Sequence, residues 1–116
     1  MKATAVARGV TMSPRKMRLV IDQIRGKDVN EAYAILRFSK KKASEQIDKV
    51  LKSAVANATY RADEAGEALD VDDLFVIEAY VDEGRTLRRW RARAYGRATP
   101  VMKRSSHVTV VVDTKE

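Results

Sequence analysis

Apolar positions recur at helical spacing through three stretches of the chain and alternate through others, while the stretch Arg85–Arg104 follows neither rule. In "SPRKMRLVIDQIRG", Met17, Val20, Ile21 and Ile24 fall at i, i+3, i+4 and i+7 and share one face of a predicted helix. Ser13 caps it, Pro14 suits its first turn, and Gly26 ends it. Arg15, Lys16, Arg18, Asp22 and Arg25 lie off the apolar face, so the other side of this helix is basic. "DVNEAYAILRF" begins a second helix, with Asp28 and Glu31 at capping-box spacing and Val29, Ala32, Tyr33 and Leu36 on one side. A long third helix runs through "ASEQIDKVLKSAVANATYRADEA" to Gly66, with Ile47, Val50, Leu51, Ala54 and Ala58 as its buried stripe. The short side chains of Ser53 to Ala58 suit close packing against a neighbour.

Lys2 to Val10 is rich in Val, Thr and Ala, is bounded by Gly9, and reads as a strand. Leu74 to Val81 alternates, which places Phe75, Ile77, Ala79 and Val81 together. His107 to Val112 does the same for Val108, Val110 and Val112. The order is strand, three helices, strand, charged ribbon, strand. It predicts an α+β fold: a small antiparallel sheet with three helices packed on one face and a long protruding β-hairpin. Residues 1–116 read as a single domain, with 85–104 an extended basic hairpin.

Charge changes the picture most at that ribbon. The chain carries a formal +7, but unevenly. Met1–Lys27 holds seven bases against Asp22, "RTLRRWRARAYGRATPVMKR" holds eight bases and no acid, and Asp63–Glu83 holds nine acids and no base. Such segregation makes one side attractive to polyanions. Gly96 is the natural bend of the ribbon, and Pro100 limits regular pairing on its return arm. Ten residues per arm at about 3.3 Å each reach roughly 30 Å, further than a connection between two strands needs. Leu87, Trp90, Tyr95, Val101 and Met102 are too scattered for a second core, and a lone hairpin is marginal in water. The ribbon is therefore expected to become fully ordered only when bound.

Its residue types identify the partner. Arg85, Arg88, Arg89, Arg91, Arg93, Arg97 and Arg104 outnumber Lys103. Guanidinium forks grip phosphate oxygens bidentately and stack on bases. Trp90 and Tyr95 offer stacking on unpaired bases, although Trp90 serves equally well as a cover for the hairpin stem. Tyr33, Tyr60 and Tyr80 read as core or core-edge residues, and His107 as a hydrogen-bonded structural histidine. Lys40-Lys41-Lys42 is either a solvated loop or a second phosphate contact.

Other classes are narrowed by composition. Cysteine is absent and His107 is the lone histidine, so disulfides and thiolate or histidine-cluster metal sites are excluded, and no cofactor is expected. No long uncharged apolar run marks a membrane span, and Met1–Val20 is interrupted by Arg8, Arg15, Lys16 and Arg18, unlike a signal peptide. A reducing, cytoplasmic setting is compatible with this. Asp70, Asp72 and Asp73 raise the idea of a metal-dependent nuclease. No base or nucleophile partners them, and the chain is not expected to be an enzyme. A DNA-bending architectural protein with β-ribbon arms is the alternative to RNA binding. Such proteins dimerise, and no extra apolar seam is evident, so no homo-oligomer is expected.

"SPRKMRLV", "VLKSAVANA" and "EAYVDEGRTLRRWRARAYGRATPVMKRSSHVTVVV", in that order, resemble the bacterial large-subunit ribosomal protein twenty-two family over nearly the whole chain. The resemblance implies an α+β body near the exit of the nascent-peptide tunnel and a hairpin that penetrates large-subunit rRNA to the tunnel wall. It also implies a role in subunit assembly and a loop linked to macrolide resistance. The implied partners are that rRNA, neighbouring large-subunit proteins, and the nascent polypeptide at the tip. Carried onto this chain, the rRNA-binding set is Arg8, Arg15, Lys16, Arg18, Arg85, Arg88, Arg89, Arg91, Arg93, Arg97, Lys103 and Arg104. The tunnel-lining tip falls within Arg88, Arg89, Trp90, Arg91, Ala92, Arg93, Ala94, Tyr95, Gly96 and Arg97. The chain departs from the family at Arg85 and Ala92, where proline is often found.

Overall fold

The computed structural model describes residues 2–92, 96 and 98–114. Along the chain run β1 (Ala3–Val10), α1 (Pro14–Ile24), α2 (Val29–Phe38), α3 (Ala43–Ala65), a 3₁₀ turn at Val71–Asp73, β2 (Leu74–Glu83), β3 (Leu87–Ala92), β4 (Ala98–Lys103) and β5 (Ser106–Thr114). β5 is the centre of an antiparallel sheet ordered β1-β5-β2, and β3 pairs with β4 in a separate two-stranded ribbon. The α+β expectation holds, with α3 lying on β1 and β5 and α1 on β2.

The helices form where their caps and stripes place them. Ser13 Oγ accepts from Lys16 N at 3.4 Å, and Pro14 occupies the first turn of α1. Asp28 Oδ1 accepts from Asn30 N at 3.0 Å to start α2. Glu31 does not complete the capping box; its carboxylate lies 3.9 Å from Lys27 Nζ. Gly66 ends α3 in the left-handed region, at φ 69°. Met17, Val20, Ile21 and Ile24 of α1 and Ile47, Leu51, Ala54 and Ala58 of α3 are fully buried against Val76, Val108, Val110 and Val112. Each large side chain so buried contributes roughly 1.5–3 kcal/mol, and the core is built from these stripes.

One strand differs from its expected pattern. In β2 the residues facing the core are Leu74, Val76, Ala79 and Val81, whereas Phe75 is only half-buried and Ile77 is exposed. The cause is a β-bulge: Val76 pairs with Val112 and Glu78 with Val111, so Ile77 has no partner and the alternation changes phase there. Tyr60 and Tyr80 are also exposed rather than part of the core. Tyr33 packs against it as expected.

Helix side chains reach carbonyls at both outer edges of the sheet, at the start of β1 and along β2. On β1, Asn57 Nδ2 donates to Thr4 O at 2.9 Å and Arg61 Nη1 to Lys2 O at 2.7 Å. On β2, Arg18 donates Nε and Nη2 to Val81 O at 3.2 and 2.8 Å, and Arg25 donates the same pair to Ala79 O at 2.9 and 2.6 Å. Further along β2, Gly26 N and Lys27 O bond the Val76 carbonyl and amide. Bare strand edges invite pairing with other chains, and these donors occupy the carbonyls that would do so.

Candidate nucleic-acid interface

The ribbon grows out of the sheet through a root with almost no spare room. Gly84 N donates to Ser105 O at 2.9 Å, and Ser105 Oγ donates to Arg85 O at 2.7 Å. A Cβ on Gly84 would collide with Ser105 Oγ and stand 3.1 Å from the Ser105 carbonyl carbon. Glycine is required here for close approach, not for an unusual φ. Beyond the root, the register runs unbroken from Leu87 opposite Lys103 to Ala92 opposite Ala98. Pro100 sits inside this ladder opposite Trp90, so it does not disturb pairing as expected. In a two-stranded ribbon alternate N–H groups point away from the partner, and proline fits at such a position.

The register sorts the ribbon into two faces, a division that residue types alone did not reveal. Arg89, Arg91 and Lys103 alternate onto one face with Leu87, Thr99 and Val101; Arg88 stands on the other with Trp90, Ala92, Ala98, Pro100 and Met102. Trp90 is 71% exposed, so it lies mid-arm in solvent instead of covering the stem. Arg85, Arg88, Arg89, Arg91, Lys103 and Arg104 are all exposed. Arg89 Nη1 reaches the Arg88 carbonyl at 3.1 Å, and Arg104 Nη2 lies 3.5 Å from Met102 Sδ. Among the described residues, ion pairs join Asp22 to Arg25, Glu31 to Lys27 and Asp48 to Lys52, and none involves the ribbon. No carboxylate among the described residues neutralises Arg85, Arg88, Arg89, Arg91, Lys103 or Arg104. Gly96 has φ +71°, as a bend requires; Arg93, Ala94, Tyr95 and Arg97 lie outside the described residues.

The first basic cluster is brought to the same end of the molecule. Ser106 Oγ, at the base of β5, donates to Met12 O at 2.6 Å and fixes the start of α1 beside the root. Arg15 and Lys16 are exposed there, and Arg18, although its fork is engaged on Val81, carries its charge alongside the end of β2. Arg8 is exposed on β1 between Ala7, which pairs with Val108, and Val10, which pairs with Ser106. Next to it His107 Nδ1 accepts from Gly9 N at 3.1 Å, the structural role expected of that histidine. Asp70, Asp72 and Asp73 lie at the opposite end of β2, whereas Asp82 and Glu83 stand at the root, opposite His107 and Ser106. Asp70 Oδ1 accepts from Asp72 N at 3.0 Å, and Asp72 Oδ1 accepts from Asn30 Nδ2 at 2.7 Å, ahead of β2. These are the bonds of a turn, and among the described residues no cluster of three His, Asp or Glu side chains suits a metal. No helix among them is long and apolar enough to cross a membrane.

The molecule measures 67 × 27 × 17 Å. That length and the end-loaded charge suit insertion between strands of a polyanion. Arg25, which the apolar periodicity left only on a basic face, proves to be an edge clamp. Its signal in the sequence was faint: an arginine one residue before a helix-ending glycine.

The sequence matches a family model described as Ribosomal protein L22p/L17e over residues 5–113. It is 54% identical over 116 residues, all of this chain and 98% of the relative, to the large ribosomal subunit protein uL22 of Bifidobacterium animalis subsp. lactis (strain AD011). The corresponding protein of Bifidobacterium longum (strain DJO10A) is 53% identical with the same coverage.

Proposed function

We infer that this chain, which belongs to the ribosomal protein L22p/L17e family, is a structural constituent of the large ribosomal subunit that binds its rRNA and works in the cytoplasm as part of the ribosome. The observation that carries this reading is the ribbon: a slender arm whose described arginines, Arg85, Arg88, Arg89, Arg91 and Arg104, are exposed and without carboxylate partners among the described residues, rooted at the end of the sheet where Arg8, Arg15 and Lys16 also lie. Phosphates supply the missing counter-charge, and binding them releases condensed cations. The body fixes the direction of the arm, so that the arm holds rRNA segments that the body does not reach. Neighbouring large-subunit proteins are further partners in this reading.

The face carrying Arg89, Arg91 and Lys103 is assigned to phosphates. The face carrying Trp90 and Pro100 offers flat apolar surface to unpaired bases or to a passing chain. The tip, between Arg88 and Arg97, is the part assigned to the wall of the nascent-peptide tunnel. Its role is architectural: Asp70, Asp72 and Asp73 shape a turn and no reaction step is assigned to them. The DNA-bending alternative draws on the ribbon alone, whereas the ribosomal reading draws on the ribbon and on family membership together.

The test is competition during subunit assembly. Arg89→Glu combined with Arg91→Glu reverses charge on one face, and the variant is expected to enter large subunits roughly tenfold less than wild type supplied in equal amount. Equal incorporation of the two would overturn the reading.

A further inference from the structure

Away from the ribbon, α2 ends at Phe38, the chain turns through Ser39–Lys42, and α3 begins at Ala43. Between the two helices lies a cleft of about 950 Å³ whose wall includes Arg37, Phe38 and the three lysines Lys40, Lys41 and Lys42. Two acids, Glu45 and Asp48, share the wall, but Asp48 is paired with Lys52 at 3.1 Å. The remaining balance is clearly positive. Phe38 is 81% exposed, the most of any large apolar side chain among the described residues. Such a ring, beside four cations and at the rim of a concavity, is unexplained by folding.

Two further features point to an anion. α3 starts without a side-chain cap, unlike α1 and α2, because Lys42 stands at the capping position. No side chain caps the positive end of its dipole, where Lys41 O and Lys42 O accept from Ser44 N and Glu45 N at 3.1 and 3.3 Å and Glu45 stands in the first turn. Ser44, only 3% exposed, lines the same wall, and its Oγ has no hydrogen-bond partner. A buried hydroxyl is normally satisfied, and this one stands without a partner beside the cleft. Tyr33 is a second donor on that wall; burial first and the Asp48 carboxylate second push its phenol above the ordinary range, and it stays protonated.

We propose that the cleft between α2 and α3 is a second rRNA subsite, which takes one unstacked nucleotide with its phosphate on Lys40–Lys42 and its base against the Phe38 ring. The proposal rests on the rRNA-binding reading above and extends it to a surface that no ribbon residue lines. Aromatic rings flanked by cations are the general means of holding unpaired bases, the ring stacking while the cations hold the backbone. A protein partner fits less well, since lysines are depleted from the centres of protein interfaces.

The experiment uses the full chain and purified large-subunit rRNA from the same organism. Phe38→Ala is expected to weaken binding roughly 5- to 150-fold, Phe38→Trp to restore it, and Phe38→Leu, which keeps bulk but not the ring, to leave it weak. Replacing Lys40, Lys41 and Lys42 together by Gln is expected to flatten the dependence of log affinity on log salt by about 0.7, the value for one phosphate on a single strand. A photoreactive benzoyl-phenylalanine at position 38, in assembled subunits, is expected to crosslink to RNA. Unchanged binding by both Phe38→Ala and Phe38→Leu, or a crosslink to protein alone, overturns the subsite. If that happens while Arg89→Glu with Arg91→Glu still weakens binding, only the cleft assignment falls. If neither set weakens binding, the rRNA reading falls with it.

Discussion

β4 and β5 are separated by only Arg104 and Ser105, yet they live in opposite environments. From Val108 to Val112 every residue of β5 is buried, while in β4 only Val101 is even half-buried. Both contain valine and both pair antiparallel with a strand of similar length. The difference lies in what faces them. β5 has strands on both sides and α3 across one face, so each valine removes apolar surface from water. β4 has β3 and nothing else. Hydrogen bonding alone makes a strand but not a stable one, and the ribbon must obtain its remaining stability from what it binds.

That contrast is broken most forcefully from the body side. Leu51→Ala in α3 removes a fully buried side chain and is expected to cost about 2–5 kcal/mol of unfolding free energy, read from urea denaturation. Rather less is expected from Arg25→Met, which leaves the Ala79 carbonyl without its two donors. Loss of about 1.5–3 kcal/mol in the same assay would mark the edge clamp as a true structural bond; no loss would show water replacing it. Neutralising the ribbon by Arg88→Gln, Arg89→Gln and Arg91→Gln together should move stability by no more than about 0.5 kcal/mol. The same triple change should flatten the salt dependence of rRNA binding by about 2 on a log–log plot. A large stability change there would mean that the arm and body fold as one unit. The smallest effect is predicted at Ile77→Thr, within about 0.5 kcal/mol of wild type, because the bulge turns this residue outward; a cost above 2 kcal/mol would return Ile77 to the core.

How much of this could be read before any coordinates follows the same division. The stripes of α1 and α3 were plain because four or more apolar residues at helical spacing permit one buried face; Ser13 marks the start of α1, Asp28 that of α2, and Gly66 the end of α3. β5 was plain for its alternating valines. β2 was misread at Phe75 and Ile77 since an inserted residue leaves no mark in composition, and both phases of "LFVIEAYV" offer apolar side chains. The basic set was visible as charge, but charge does not say which cations are already engaged. Arg18 belongs to the expected rRNA-binding set, yet it spends its fork on the Val81 carbonyl. The two faces of the ribbon needed the register, which depends on where the bend falls. The cleft beside Phe38 needed the angle between two helices, and no local pattern encodes that.

The valine stripe of β5 has one more consequence. A shift of that strand by a single residue would turn Val108, Val110 and Val112 away from the core, so slippage is blocked at the body and, through the closed root at Gly84, along the arm. The span from the globular part to the far bend is thus set like the length of a ruler, not left slack like a tether. Whatever the bend touches, it meets at a distance counted in whole residues.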